Sequence, residues 1–202
     1  MLPIEDQILI CTNLAELKKA YENLKSTHSK KYAASRGHAL ETLVLKLLQI
    51  SGGWERLSKR VSTASGELDL FGVYGRYDFV FELKWTDSKA SRPTLQKLES
   101  VINNKPNVCG VLISISNQTK GTRDWGRIAN SRGNQIVLLD ARDLEAVLNE
   151  QIPFNYLLEK RLHNARFNFN PQEPNIESAI ADFQAYKAHL LFTDPRTLID
   201  EP

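Results

Sequence analysis

Asp69, Glu82 and Lys84 stand in two short apolar stretches, Gly66-Glu67-Leu68-Asp69-Leu70 and Phe81-Glu82-Leu83-Lys84-Trp85, that read as consecutive β-strands. Ionisable groups among core-forming neighbours are costly to bury without partners. Two converging carboxylates repel unless a cation lies between them. Mg²⁺ suits that place, with Mn²⁺ as a possible substitute, because it takes oxygen ligands and keeps waters and substrate phosphates in its remaining positions. Such an ion acidifies a bound water and neutralises developing charge. Lys84, two residues from Glu82, could orient that water or stabilise the transition state. These parts suit phosphodiester hydrolysis, which is very slow unaided. The competing reading is a same-face Glu82–Lys84 ion pair on a half-exposed strand, with Asp69 a surface partner.

Strand side chains alternate between faces. Phe79, Phe81, Leu83 and Trp85 therefore share one face, and Asp78, Val80, Glu82 and Lys84 the other. On the preceding strand Leu68 and Leu70 are expected on one face, and Glu67, Asp69 and Phe71 on the other. A hairpin tip at Gly75-Arg76 sets Asp69 across from Glu82 and Glu67 across from Lys84. A tip at Tyr74-Gly75 makes Asp69 diagonal to Glu82 on the same face, and only a bulge would separate them.

Around these strands the periodicity predicts a helix over 13–26, a basic linker containing Lys30 and Lys31, and a helix over 36–50 striped by Leu40, Leu43, Val44, Leu47 and Leu48. Strands are expected near 54–62, 66–73 and 77–85, a helix from Ser91 to about 104, and a doubly covered strand at 109–115. A loop and helix over 117–132, a strand at 135–139, a helix from Asp140 or Ala141 to Glu150, and a last helix over 176–192 complete the order. The expected fold is an α/β mixed sheet flanked by helices. It divides into an N-terminal helix and linker (1–34), a core (35–150) and a proline-containing helical C-terminal extension (151–202) that packs on the core or forms an interface.

With 202 residues, 42% hydrophobic and 25% charged, the composition is that of one globular domain with or without an appendage. A net charge of +2 argues for a polyanionic partner only through local clusters. Cys11 and Cys109 have no metal-ligand spacing and read as free thiols of a reducing compartment. The N-terminus lacks a secretory pattern and no run is long enough to span a bilayer, so a cytoplasmic protein with no membrane partner is expected. There is no glycine-rich phosphate loop, so no nucleotide cofactor is expected.

Glu67-Leu68-Asp69, twelve intervening residues and Glu82-Leu83-Lys84 together resemble the PD-(D/E)XK nuclease superfamily, of restriction-endonuclease-like fold. The first motif departs from the Pro-Asp of the family name; the second is intact. Upstream, Gly37-His38-Ala39-Leu40-Glu41 resembles the Gly-x-x-(Phe/Leu)-Glu helix opening of Mrr-like and Holliday-junction-resolvase-like members. The resemblance covers about 36–140 and implies an α-β-β-β-α-β core. It implies Asp69 and Glu82 as metal ligands, Glu41 as a further ligand or water-holder, and Lys84 as the catalytic lysine. Gln96 sits where some members carry a site glutamine, or is an exposed helical residue. Glu67 could be an alternative ligand or a strand-edge charge. His38 could touch a phosphate, or be a solvated histidine at a helix start.

The implied activity is Mg²⁺-dependent DNA endonuclease, in restriction, antiphage defence, repair or recombination. Alternatives are an inactive DNA-binding or assembly subunit, or a nuclease for RNA or for branched or single-stranded substrates. Cutting both strands requires two sites, so a homodimer is expected. Basic loops around the site nominate Arg36, Lys89, Arg92, Lys120, Arg123 and Arg127, with Gln96, as nucleic-acid contacts beside Trp125. Ordinary solvated loops are the alternative.

Overall fold

A computed structural model describes residues 3–26, 33–63 and 66–193. The linker lysines Lys30 and Lys31, Ser65 of the first strand connection, and Pro195 lie outside the described residues. Three helices, α1 (Ile4–Leu9), α2 (Leu14–Ser26) and α3 (Ala33–Ser51), precede strands β1 (Ser58–Thr63), β2 (Gly66–Tyr74) and β3 (Tyr77–Lys84). Then come α4 (Arg92–Ile102), β4 (Val108–Ser114), α5 (Lys120–Ser131), β5 (Ile136–Asp140), α6 (Ala141–Leu148), α7 (Phe154–Phe167) and α8 (Ile176–Thr193).

The five strands lie in sequence order in one sheet. The first three form an antiparallel meander, and β3–β4 and β4–β5 are parallel. The mixed α/β architecture expected from the sequence is therefore present. The β2–β3 hairpin closes at Tyr74↔Tyr77, so its tip is Gly75-Arg76. Gly75 has φ +58, the conformation a two-residue hairpin needs at its first loop position.

The parallel strands are apolar because both faces are covered. On one face Leu95, Leu98, Val101 and Ile102 of α4 and Ala129 of α5 pack against Val80, Leu112, Ile136 and Leu138. Gly110 lets α4 come close, since a Cβ there would meet Leu98 and Ile102 side chains at 3.1 Å. On the other face α1–α3, α6 and α7 pack against Phe79, Phe81, Leu83, Val111, Ile113 and Leu139.

Three boundaries differ from the sequence reading. The first strand begins at Ser58, and Trp54 makes only an isolated bridge to Tyr74. Helix α1 precedes the expected first helix. Helix α7 fills much of the C-terminal segment, and its Phe154, Leu157, Leu158, Leu162 and Ala165 belong to the same core as the sheet. No helix of the described residues is long and apolar enough to cross a membrane. Both cysteines are buried free thiols.

Candidate active site

The β2–β3 ladder runs from the hairpin tip to Leu70↔Phe81 and stops. Its register sets Asp69 level with Glu82, and makes Leu68 and Leu83 the next hydrogen-bonded pair. Instead Asp69 Oδ2 accepts the Leu83 N–H at 2.7 Å, so the side chain replaces the departing backbone acceptor. Packing records the break. Leu70 joins the core beneath α1–α3, whereas Leu68 joins the α4–α5 core. Their expected common face is thus corrected, because a kink at Asp69 reverses the alternation. The β1–β2 ladder is interrupted at the same level, pairing Lys59↔Leu70 and Val61↔Leu68 but not Arg60 with Asp69. Arg60 has φ +55, costly for a residue with a Cβ.

Glu82 is buried, and its two oxygens face two cations. Lys84 Nζ lies 2.6 Å from Oε1 and Lys97 Nζ, from α4, 3.6 Å from Oε2. Lys97 Nζ also donates to the Glu67 carbonyl at 3.4 Å. Burial pulls the Lys84 pKa down, but its hydrogen bond to Glu82 and the charges of Glu82, Asp69 and Glu41 outweigh that and hold it above the ordinary lysine value. Lys84 is therefore an ammonium at neutral pH. Asp69 is pushed from 3.8 up to about 6, by burial first and by the charge of Glu82 second, against the Leu83 N–H bond and Lys84. Among the described residues Asp69 makes no ion pair, whereas Glu41 and Glu82 each make at least two.

Glu41, on α3, is buried and already engaged. Arg60 Nε donates to its Oε2 at 3.1 Å, Lys59 Nζ lies 3.7 Å away, and His38 Nδ1 is 3.2 Å from Oε1. Among the described residues no group of three or more His, Cys, Asp and Glu side chains is gathered to hold a metal ion. The structure thus brings Asp69, Glu82 and Lys84 together and sets Glu41 apart on basic partners, though its charge is still felt at Asp69 and Lys84. The donor set nonetheless fits a hard divalent cation, which needs only one or two protein carboxylates when waters and phosphates complete its shell.

The expected nucleic-acid contacts are dispersed. Arg36 is buried and pairs with Asp87 at 3.2 Å, so its guanidinium is turned inward. Lys89 and Gln96 are exposed, Gln96 one residue before Lys97. Arg92 stacks on Trp125 at 3.9 Å, and the indole donates to Glu99 at 2.7 Å, so this aromatic is engaged within the fold. Lys120 and Arg127 both face Asp124, and Arg123 donates to the Gln118 carbonyl. Glu67 is exposed. Beyond the expected catalytic residues the structure adds Lys59 and Arg60, and brings Lys97, expected only as one of the basic residues around the site, onto Glu82. Lys97 carries only a generic helical-lysine signal, and Arg60 depends on a backbone kink that residue types do not announce.

Residues 32–148 match the family model Mrr_cat, described as a restriction endonuclease. The chain belongs to that family. No curated protein matches it by sequence. Among solved structures it is similar to the small subunit of the heterodimeric restriction endonuclease R.BspD6I. That match has 12% identity and a TM-score of 0.52, over 85% of this chain and 98% of that one. It is also similar to the MspJI restriction endonuclease in complex with a 27-mer oligonucleotide (16% identity, TM-score 0.44, 79% of this chain, 38% of that one). A third is the DNA modification-dependent restriction endonuclease AspBHI (16%, 0.44, 81% and 42%). The fold is thus restriction-endonuclease-like and the family is one of nucleases, as the motif resemblance implied.

Proposed function

We propose that this chain is a divalent-metal-dependent DNA endonuclease whose centre is Asp69, Glu82 and Lys84. One observation carries the reading. Asp69, a half-buried carboxylate with no ion pair among the described residues, is set into a breach of the sheet, level with a second carboxylate that holds a charged lysine. A bound Mg²⁺ or Mn²⁺ would supply an acidified water and charge neutralisation. Asp69 and Glu82 would hold the ion, and ion binding would draw the Asp69 proton off. Glu82 keeps Lys84 protonated and aimed along the site, where the ammonium orients the attacking water or meets the non-bridging phosphate oxygen. Lys97 offers a second positive charge at the far oxygen of Glu82. The catalytic unit is the core segment 35–150, and a homodimer would supply two centres for two strands. Restriction, antiphage defence, repair or recombination are the settings that suit such an enzyme.

The test is cleavage of supercoiled plasmid, linear duplex, single strands, RNA and four-way junctions with Mg²⁺, Mn²⁺ or EDTA, comparing wild type with Lys84→Ala. Metal-dependent cutting of DNA that the variant loses is the expected result. Cutting confined to RNA or to junctions would move the substrate class. Binding of DNA without cleavage of any substrate would make the chain a binding subunit and overturn the proposal.

A further inference from the structure

The geometry points to a phosphate-binding subsite formed by Arg60 and Lys59, with Glu41 as its buried anchor rather than a metal ligand, for the backbone phosphate adjoining the scissile one. It rests on the nuclease reading for its location and on separate residues for its chemistry. Adjacent residues of a regular strand point to opposite faces. Lys59 and Arg60 are adjacent in β1, yet Arg60 Nε and Lys59 Nζ both reach Oε2 of Glu41, at 3.1 and 3.7 Å. The left-handed backbone at Arg60, φ +55, is what turns both cations to one side. Packing agrees: Leu57 packs against the α1–α3 core and Val61 against the α4–α5 core, so the alternation of β1 reverses between them. A rare conformation that gathers two cations beside a breach in the sheet is an outlier from which function can be inferred.

The anchoring is asymmetric. Lys59 is spent inward, donating to Thr42 Oγ1 at 2.7 Å and to the His38 carbonyl at 3.4 Å. Arg60 uses Nε on Glu41 and Nη2 on His38 Nδ1, its side chain stays 41% exposed, and Nη1 has no protein partner among the described residues. A guanidinium held on its inner edge and open on its outer edge suits the paired oxygens of a phosphodiester. Glu67 and Glu5 also act on Arg60 from farther off, which limits the subsite to a phosphate delivered by a bound polymer. Its place is fixed by β2: Arg60 flanks Asp69 from β1 as Glu82 does from β3.

The test measures binding of a mixed-sequence duplex in Ca²⁺ across a salt series, Mn²⁺ binding to the protein alone, and steady-state cleavage. Arg60→Gly is the informative variant, since glycine accepts φ +55 and the fold is kept. It should weaken duplex binding about tenfold and reduce the salt slope by about one. KM should rise more than kcat falls, and Mn²⁺ binding should be unchanged. Arg60→Lys should keep the salt slope and recover part of the affinity. Glu41→Gln should behave as a weaker Arg60→Gly and leave Mn²⁺ binding intact. Unchanged duplex affinity and slope in Arg60→Gly, or a tenfold loss of Mn²⁺ affinity in Glu41→Gln, would overturn the subsite. If wild type cleaves nothing but its duplex binding depends on Arg60, the nuclease reading fails and the subsite stands.

Discussion

Asp69, half-buried, and Asp143, fully buried, are both aspartates pushed up to about 6, and in both desolvation is the first cause. Their surroundings differ in kind. Asp143 receives Arg161 Nη2 at 2.7 Å on one oxygen and the Asp140 N–H at 2.9 Å on the other, within the capping box that starts α6. Arg161 also donates to the Leu138 carbonyl, tying α7 to β5. That cluster is closed: its donors and acceptors largely satisfy each other, and it joins elements. Asp69 has one backbone hydrogen bond, a like charge beside it, Lys84 acting only from a distance and, among the described residues, no ion pair. A raised carboxylate pKa alone therefore does not mark a site. Unmatched charge beside a broken ladder does.

The comparison breaks most visibly through activity. Asp69→Asn or Lys84→Ala should lower metal-dependent cleavage by about 10²–10³-fold or more while circular dichroism stays native. Arg161→Met should do the reverse. Removing one partner of a buried pair costs about 3–5 kcal/mol, read as a lowered denaturation midpoint, while the folded fraction keeps its specific activity. If Arg161→Met abolished cleavage without loss of stability, the division between the two clusters would be wrong.

Stability against pH sharpens it further. Both aspartates hold folded pKa values near 6 against an ordinary 3.8. Between about pH 4 and 6 the folded protein therefore binds more protons than the unfolded chain, and stability falls as pH rises through that window. Asp69→Asn keeps an acceptor for the Leu83 N–H and removes its share of this fall. It should raise the melting temperature at pH 8 by about 2–4 °C, if the relief is on the order of 1 kcal/mol. Saturating Mg²⁺ should raise the wild-type melting temperature at pH 8 and leave Asp69→Asn unmoved. The smallest effect is expected at Arg92→Ala. Loss of the stack on Trp125 should change cleavage less than threefold, as a cation–π contact of about 0.5–1 kcal/mol at a partly exposed ring implies.

Much of this was legible in the residues. Turn chemistry narrows the hairpin tip to Gly75-Arg76 or Tyr74-Gly75, of which the structure has the first. The doubly apolar β4 and β5 follow from the burial pattern, and together these features fix which strands carry Asp69, Glu82 and Lys84. Helix α7 was not among the expected elements, although its Phe154, Leu157, Leu158, Leu162 and Ala165 fall on one stripe. The buried Arg161 interrupts that stripe as a charge, and Pro153 sits at the helix cap. The kink at Asp69 and Arg60 was not legible. Nothing in Arg-Val or Leu-Asp-Leu announces a reversal of alternation, because it follows from β2 parting from both its neighbours at one level. That reversal also separates Glu41 from the other two acids by giving it cations of its own.

The most direct measurement is Mn²⁺ binding followed by electron paramagnetic resonance, with a non-hydrolysable phosphorothioate duplex bound. Wild type, Asp69→Asn and Asp143→Asn would be compared at matched folded fraction. The account predicts that wild type and Asp143→Asn titrate alike and that Asp69→Asn loses at least tenfold in affinity. Equal binding by wild type and Asp69→Asn, or loss of binding in Asp143→Asn, would contradict it.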